Sequence, residues 1–187
     1  MIVRLLRHGQ STWNLDRRVQ GQQDPPLTEL GREQARESVA ALTGAGALLS
    51  SDLRRARETA DILGSALGVP VVITPLLREQ GLGVLEGLTT EEALHRAGEH
   101  DWRDPDAAVP GGESLRTVYA RLVPLATSIR AGEHGDDVAL VTHGDTLRVA
   151  VCLLAGRPVT EIADPVVGNG EVVTIKMPVH RQQSGTI

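Results

Sequence analysis

Short apolar runs alternate along this 187-residue chain with longer amphipathic segments, and this alternation is the feature that most constrains the fold. The runs are typical of buried strands, whereas the longer segments repeat their apolar residues at helical spacing. The predicted strands cover residues 3–6, 47–49, 71–73, 138–141 and 171–177. The predicted helices cover residues 28–42, 51–67, 90–97, 113–131 and 145–155. Strands separated by helices indicate an α/β fold, a three-layer sandwich with a mainly parallel central sheet and helices on both faces.

The length of the chain fits a single domain over residues 1–187. Within it, we expect residues 88–112 to form a cap segment that governs specificity and residues 180–187 to form a frayed tail. The chain shows no signal peptide and no apolar run near the ~18 residues of a membrane span. The single cysteine, Cys152, excludes an internal disulfide and fits a reducing compartment, so we expect a cytoplasmic protein.

The net charge and the aromatic content limit the classes of partner that the chain can bind. A net charge of −5 lacks the basic face that nucleic-acid binding needs, and an aromatic content of 2% leaves few platforms on which bases could stack. We therefore expect neither nucleic acid nor a membrane as a partner. The oligomeric state stays open, and a homodimer is one of the states that the sequence allows.

Two apolar runs end in a histidine followed by glycine. Arg7, His8 and Gly9 follow the first strand, and His143 and Gly144 follow the fourth. Ligands of parallel sheets bind at the carboxyl ends of the strands, so both pairs are predicted to reach one site. The alternative is that each histidine is a hydrogen-bonded structural residue.

The residues around the first histidine favour a catalytic role over a structural one. The permanent cation of Arg7 disfavours a second positive charge on His8, and a neutral histidine is a nucleophile. Gly9 lets the backbone approach a ligand closely, and Asn14 adds an uncharged donor. The second histidine, His143, can carry a charge and bind an oxyanion, with Asp145 as the expected helix cap.

Three arginines follow Ser51 and Asp52, which we expect to cap the second helix. Leu53 and Ala56 fix the buried side, so the arginines at 54, 55 and 57 cannot all point the same way. The residues alone leave open which one faces the site, and a solvated arginine face is the alternative.

A glutamate at a glycine-rich strand exit, Glu79, can act as a general acid if partial burial raises its pKa. The alternative is an exposed loop carboxylate. Two arginines, two histidines and one glutamate together are suited to moving a phosphoryl group without a metal. One histidine attacks in line, the cations neutralise the equatorial oxygens, and the glutamate handles the proton of the leaving oxygen.

Six stretches resemble the histidine phosphatase superfamily, the phosphoglycerate mutase-like proteins, in the family's order. They are LLRHGQSTWN, RVQGQQDPPLTELG, SSDLRRARETA, LREQGLGVLEGLT, PGGESL and VTHGDTLR, within residues 3–148. The resemblance implies a small phosphatase that needs no metal or cofactor and acts on a small phosphorylated metabolite.

The resemblance also implies roles for single residues. His8 would be the nucleophile, and Glu79 would be the proton donor. The arginine that precedes the family's alanine is Arg55, which would bind phosphate together with Arg7, His143 and Gly144. Asn14, Gln20 and Gly21 would contact phosphate or substrate.

Two departures bear on the substrate. Leu82 and Leu85 stand where the family usually carries aromatic residues, so the substrate preference does not transfer. The modest length of residues 88–112 favours a phosphatase over a mutase. Two alternatives stay open, phosphoglycerate mutase-type phosphoryl transfer and a non-catalytic protein that binds a phospholigand. No HExxH spacing occurs among the histidines, so we expect no zinc site.

Overall fold

The computed structural model describes residues 1–162 and 167–178. Its five strands are β1 (Ile2–Arg7), β2 (Ala47–Ser50), β3 (Val71–Ile73), β4 (Asp137–Thr142) and β5 (Val172–Lys176). In this part of the chain they form one sheet in the order β3-β2-β4-β1-β5. The pairs β1–β4, β2–β4 and β2–β3 are parallel, and β5 alone runs antiparallel, beside β1. The mainly parallel sheet is confirmed, with the antiparallel strand at an edge, where mixed sheets often carry one.

The helices in the described residues cover both faces of this sheet. They are α1 (Thr12–Leu15), α2 (Glu29–Glu37), α3 (Val39–Leu42), α4 (Arg54–Leu67), α5 (Thr90–Ala97), α6 (Leu115–Arg130) and α7 (Gly144–Leu154). Short 3-10 turns occur at Pro75–Leu77, Gly83–Leu85 and Val159–Glu161.

Two apolar cores lie between the layers. Val3 and Leu5 of β1 belong to a cluster with α6 and α7, whereas Leu6 belongs to a second cluster with α3 and α4. Side chains that alternate along a strand point to opposite faces of the sheet. The three-layer sandwich is therefore confirmed.

The helix predicted over residues 28–42 is two helices. Ser38 separates α2 from α3, and its hydroxyl lies 2.7 Å from the carbonyl oxygens of both Gln34 and Gly170. Leu30, which the helical spacing placed near the buried face, is 50% exposed. The spacing located the helical region but not the break, because the Gly170 carbonyl belongs to a distant loop.

Two predicted caps are corrected. Leu53 is the N-cap of α4, and Ser51 Oγ accepts a hydrogen bond from the Leu53 N–H at 3.2 Å instead. Asp52 pairs with Arg78 through two hydrogen bonds of 2.8 and 2.6 Å. The N-cap of α7 is His143, so Asp145 lies inside the first turn.

A small third cluster underlies the segment 88–112, which contains α5. Leu85, Ala93 and Val109 form its buried part, and a capping box between Thr89 and Glu92 starts α5. This local core gives the segment packing of its own beside the sheet. The tail at 180–187, predicted to be frayed, lies outside the described residues.

The turn after β1 packs directly on α2 through two glycines. A Cβ added to Gly9 would lie 2.1 Å from the carbonyl oxygen of Gly31, and one added to Gly31 would lie 2.1 Å from that of Gln10. The close approach that Gly9 permits in this structure is to the backbone of α2, and its approach to a ligand stays a prediction. The contact fixes where β1 ends.

We expect Gly9→Ala to lower the free energy of unfolding by about 2 kcal/mol or more, because backbone must move to admit the methyl group. Gly46→Ala is the matched control, since its Cβ would lie 3.9 Å from the Asp137 carbonyl oxygen. Urea unfolding measures the free energy of unfolding of both variants. Equal stability of the two variants would contradict the packing role of Gly9.

Candidate active site

Two neighbouring parallel strands bring the histidines together. Arg7 of β1 pairs in register with Thr142 of β4, and the His8 N–H donates to the Thr142 carbonyl at 2.9 Å. His8 and His143, each one residue beyond its pair, therefore lie side by side. Their ring centroids are 5.0 Å apart, with a tilt of 59°.

His8 is buried, and its hydrogen bonds define its tautomer. Nδ1 lies 2.7 Å from the Gly9 carbonyl oxygen, which only accepts, so Nδ1 carries the proton. Nε2 accepts a hydrogen bond from Arg55 Nε at 3.2 Å. Burial lowers the pKa of His8 well below 6.5, and the charges of Arg55 and Arg7 lower it further. The ring is neutral with its lone pair on Nε2, and burial contributes more to this state than Arg7 does.

Arg55 is the arginine that enters the site. Its side chain is fully buried, whereas Arg54 and Arg57 are exposed. Besides the bond to His8, its guanidinium donates to the carbonyl oxygens of Gln23 at 2.6 Å and Gly21 at 2.8 Å. Burial lowers the pKa of Arg55 to about 10, so it stays a cation at neutral pH.

Two buried nitrogen atoms lack a hydrogen-bond partner among the described residues. They are Nε of Arg7 and Nδ1 of His143. Arg7 is anchored at its other end, where NH1 donates to the Val167 carbonyl at 2.6 Å. Buried polar atoms without a partner are rare in proteins, and two at one site indicate a place for a ligand that accepts hydrogen bonds.

His143 is fully buried, and its Nε2 lies 2.9 Å from Ser51 Oγ. Burial lowers its pKa well below 6.5, and the charges of Arg55, His8, Arg121 and Arg7 act in the same direction. The sequence suggested a histidine that can be charged. In the structure, burial and these charges favour the neutral ring.

Glu79 lies at the N-terminus of α7. Its carboxylate accepts hydrogen bonds from the N–H groups of Gln80 at 2.9 Å, Thr146 at 3.1 Å and Asp145 at 3.4 Å. Burial, followed by the negative charge of Asp145, raises its pKa, although the hydrogen bonds and Arg55 oppose that shift. A raised pKa brings a carboxyl group closer to the range in which it can act as a general acid.

Gly144, the first residue of α7, lies between Arg7 and Glu79. A Cβ built on it would be 3.7 Å from both Arg7 Cζ and Glu79 Oε2. The site therefore joins five predicted side chains, those of Arg7, His8, Arg55, Glu79 and His143, at the carboxyl edge of the sheet.

The other residues predicted to contact a ligand form hydrogen bonds with Ser11 or Arg55 in the structure. Asn14 Oδ1 accepts from the Ser11 N–H at 3.0 Å, and Gln20 Oε1 accepts from the Ser11 hydroxyl at 2.7 Å. The Gly21 carbonyl binds Arg55, as described above. Direct contact of Asn14, Gln20 and Gly21 with a ligand stays a prediction.

Sequence reasoning missed Asn169. Its Nδ2 lies 2.9 Å from the His8 carbonyl oxygen and 3.3 Å from Asn14 Oδ1, so it ties the loop before β5 to the turn after β1. The only signal was its place between two glycines, which is typical of many turns.

Glu113 and Arg121 were also missed. Glu113 Oε2 accepts from the Gly81 N–H at 2.9 Å and from Arg121 NH2 at 3.2 Å. Arg121 also donates to the carbonyl oxygen of Glu79 at 3.3 Å. This pair holds the segment that carries Glu79, and its only signal was the glutamate in PGGESL.

The described residues contain no group of three or more histidine, cysteine, aspartate or glutamate side chains placed to hold a metal ion. None of the helices in that part of the chain is both long and apolar enough to cross a membrane.

The sequence of this chain is similar to those of known proteins. A family model of the histidine phosphatase superfamily (branch 1) matches residues 3–185. A protein of Escherichia fergusonii named "Probable phosphoglycerate mutase GpmB" is 36% identical over 164 residues, which cover 83% of this chain and 75% of that protein.

Two solved structures are similar to this chain in fold and in sequence. A mycobacterial glucosyl-3-phosphoglycerate phosphatase, in complex with VO3, has a TM-score of 0.87 and 36% identity, over 94% of this chain and 90% of that one. An alpha-ribazole phosphatase from Shigella flexneri has a TM-score of 0.82 and 26% identity, over 95% and 91% of the two chains.

With no ligand bound, we expect the contribution of His8 and His143 to the free energy of unfolding to fall as the pH drops below about 6.5. Burial holds the pKa values of His8 and His143 below 6.5, the value of a free histidine, so the unfolded chain binds more protons in this range. Well above pH 6.5 the two histidines are neutral in both the folded and the unfolded chain, so their effect on stability vanishes. Each histidine contributes up to about 1.4 kcal/mol per pH unit.

Urea unfolding between pH 8 and 5.5 in phosphate-free buffer measures this dependence. His8→Asn is expected to flatten it, whereas His95→Asn, on the exposed surface of α5, keeps the wild-type slope. An unchanged slope in His8→Asn would contradict the inference.

Proposed function

The chain belongs to the histidine phosphatase superfamily (branch 1) as a phosphoric monoester hydrolase, and we propose that it hydrolyses a small phosphorylated metabolite through a phosphohistidine on His8. In this proposal Glu79 is the general acid and base, and no metal is required. The single cysteine fits a reaction in the cytoplasm.

The observation that carries the proposal is the state of His8. The ring is neutral, its Nδ1 proton is held by the Gly9 carbonyl, and its Nε2 lone pair faces Arg55. A fixed neutral tautomer is what a nucleophilic histidine needs, because the attacking nitrogen must be unprotonated. Arg55 Nε donates to that lone pair in the structure, so substrate binding has to move this N–H to a phosphate oxygen.

The surrounding donors suit a phosphoryl group. Arg7 Nε and His143 Nδ1 are buried without a partner among the described residues. Of the five N–H groups of Arg55, three make the bonds described above, and the others can donate to phosphate oxygens. Preorganised donors of this kind stabilise the charge that the equatorial oxygens carry in the transition state.

In the first step, the lone pair of His8 Nε2 forms a bond to phosphorus as the ester P–O bond breaks. The electron pair of that bond goes to the leaving oxygen, which takes the proton of Glu79. The products are an alcohol, phosphohistidine and the Glu79 carboxylate.

In the second step, a water molecule attacks phosphohistidine from the position that the alcohol has left. The Glu79 carboxylate takes a proton from this water, the P–N bond breaks, and its electron pair returns to Nε2. Inorganic phosphate leaves, and His8 and Glu79 regain their starting states. One carboxyl group with a raised pKa serves both steps, since each reverses the proton transfer of the other.

A phosphoglycerate mutase is the second candidate, favoured by the likeness to the protein of Escherichia fergusonii named for that activity. The likeness to phosphatases of glucosyl-3-phosphoglycerate and alpha-ribazole supports hydrolysis instead. A coupled assay with 2- and 3-phosphoglycerate separates the two. Interconversion faster than phosphate release would identify a mutase.

Incubation with ³²P-labelled substrate in excess EDTA, followed by an alkaline quench, should trap label on the protein that is stable to base and labile to acid. His8→Ala should abolish both labelling and turnover, because the attacking nitrogen is gone. The control His95→Ala changes an exposed histidine and should keep both. Turnover of wild-type protein with no trapped label, or label that persists in His8→Ala, would contradict the proposal.

Glu79→Gln should separate substrates by their leaving groups. We expect kcat/KM to fall about 100-fold or more for glycerol 1-phosphate, but less than about tenfold for p-nitrophenyl phosphate, whose leaving group needs little protonation. This constant reports phosphorylation and not breakdown of the intermediate. Equal losses on both substrates would contradict the acid role of Glu79.

A further inference from the structure

Ser51 contacts the candidate site although neither its sequence position nor its expected role as a helix cap pointed there. Its hydroxyl oxygen lies 2.9 Å from Nε2 of His143, and both side chains are fully buried. The two residues are 92 positions apart in the chain. Ser51 follows β2 and His143 follows β4, and these two strands are neighbours in the sheet.

The hydrogen bonds of Ser51 indicate which way its proton points. Its Oγ already accepts from the Leu53 N–H at 3.2 Å at the start of α4. A hydroxyl has one proton to donate, and among the described residues Nε2 of His143 lies within reach as an acceptor, so donation to it leaves the hydroxyl proton paired. Donation to Nε2 places the proton of the neutral ring on Nδ1, the nitrogen that has no partner among the described residues.

The surroundings of His143 favour the same tautomer. The charged or titratable groups that act on it are Arg55 of α4, His8 and Arg7 from the end of β1, and Arg121 of α6. These groups disfavour a charged ring, so the choice lies between two neutral tautomers. A lone pair on Nδ1 would repel a phosphate oxygen, whereas an Nδ1–H donates to it.

We propose that Ser51 is a positioning residue whose hydroxyl donates to Nε2 of His143 and thereby keeps the ring proton on Nδ1, where it can bind a phosphate oxygen. The proposal rests on the phosphate site of the proposed function. It assigns the affinity for phosphate partly to a side chain that does not contact phosphate itself.

The same hydroxyl keeps its bond if the ring becomes charged. An imidazolium has a proton on Nε2, and Ser51 Oγ retains a second lone pair beside the one used by Leu53 N–H. An alanine at this position would leave Nε2 buried with no partner in either state.

Two-bond ¹H–¹⁵N NMR of the phosphate-free protein tests the tautomer directly, with the His143 signals assigned by their loss in His143→Gln. In wild-type protein we expect the proton on Nδ1. In Ser51→Ala we expect a mixture of tautomers or the proton on Nε2. Observation of the Nε2–H tautomer in wild-type protein would overturn the proposal, and this measurement stands even if Ser51→Ala fails to fold.

Titration calorimetry with inorganic phosphate gives the second measurement. Ser51→Ala should weaken binding about tenfold, because the fixed donor is lost. Ser51→Thr keeps the hydroxyl and should restore most of the affinity. Ser50→Ala is the matched control, since this equally buried serine donates to the Ser51 carbonyl and not to His143; it should stay within about twofold of wild type.

Equal phosphate affinity in Ser51→Ala and Ser50→Ala would also overturn the proposal. Neither measurement needs turnover, so a protein that does not hydrolyse phosphate esters still tests the role of Ser51. Failure of wild-type protein to bind phosphate would instead refute the phosphate site of the proposed function.

Discussion

The parallel pairing of β1 with β4 is the constraint on which the rest of the site depends. The register that matches Arg7 with Thr142 places the two histidines at the same height on one edge of the sheet. A one-residue slip would turn His8 toward the opposite face, since side chains alternate along a strand. The buried apolar residues of β1, which divide between two cores, prevent that slip.

Arg55 makes this edge a site for anions. A buried guanidinium costs free energy unless hydrogen bonds compensate for the lost water, and the carbonyl oxygens of Gly21 and Gln23 supply them. They do not neutralise the charge. Burial lowers the pKa values of both histidines, and the positive charge of Arg55 lowers them further, which favours an unprotonated His8 that is able to attack.

The sequence predicted the five strands and most of the helices, and it singled out the five side chains that the structure brings together, because strand ends and local motifs carry that information. It could not choose Arg55 over its two neighbouring arginines without the family resemblance, since each of the three adjoins Leu53 or Ala56 in the sequence. It also missed Ser51, Asn169 and Glu113 as partners of the site. Their contacts join distant segments and depend on how helices and loops dock, which no local pattern records.

Burial shifts the pKa values of His8 and Glu79 in opposite directions, and this opposition is the basis of the proposed chemistry. Loss of water disfavours the charged form of each group, so the histidine stays neutral and the carboxyl group retains its proton more readily. These opposite shifts favour a nucleophile without a proton beside an acid with one. The cations next to His8 strengthen its shift, whereas the backbone N–H groups at the start of α7 limit that of Glu79. That limit suits a group that must release its proton in one step and accept another in the next.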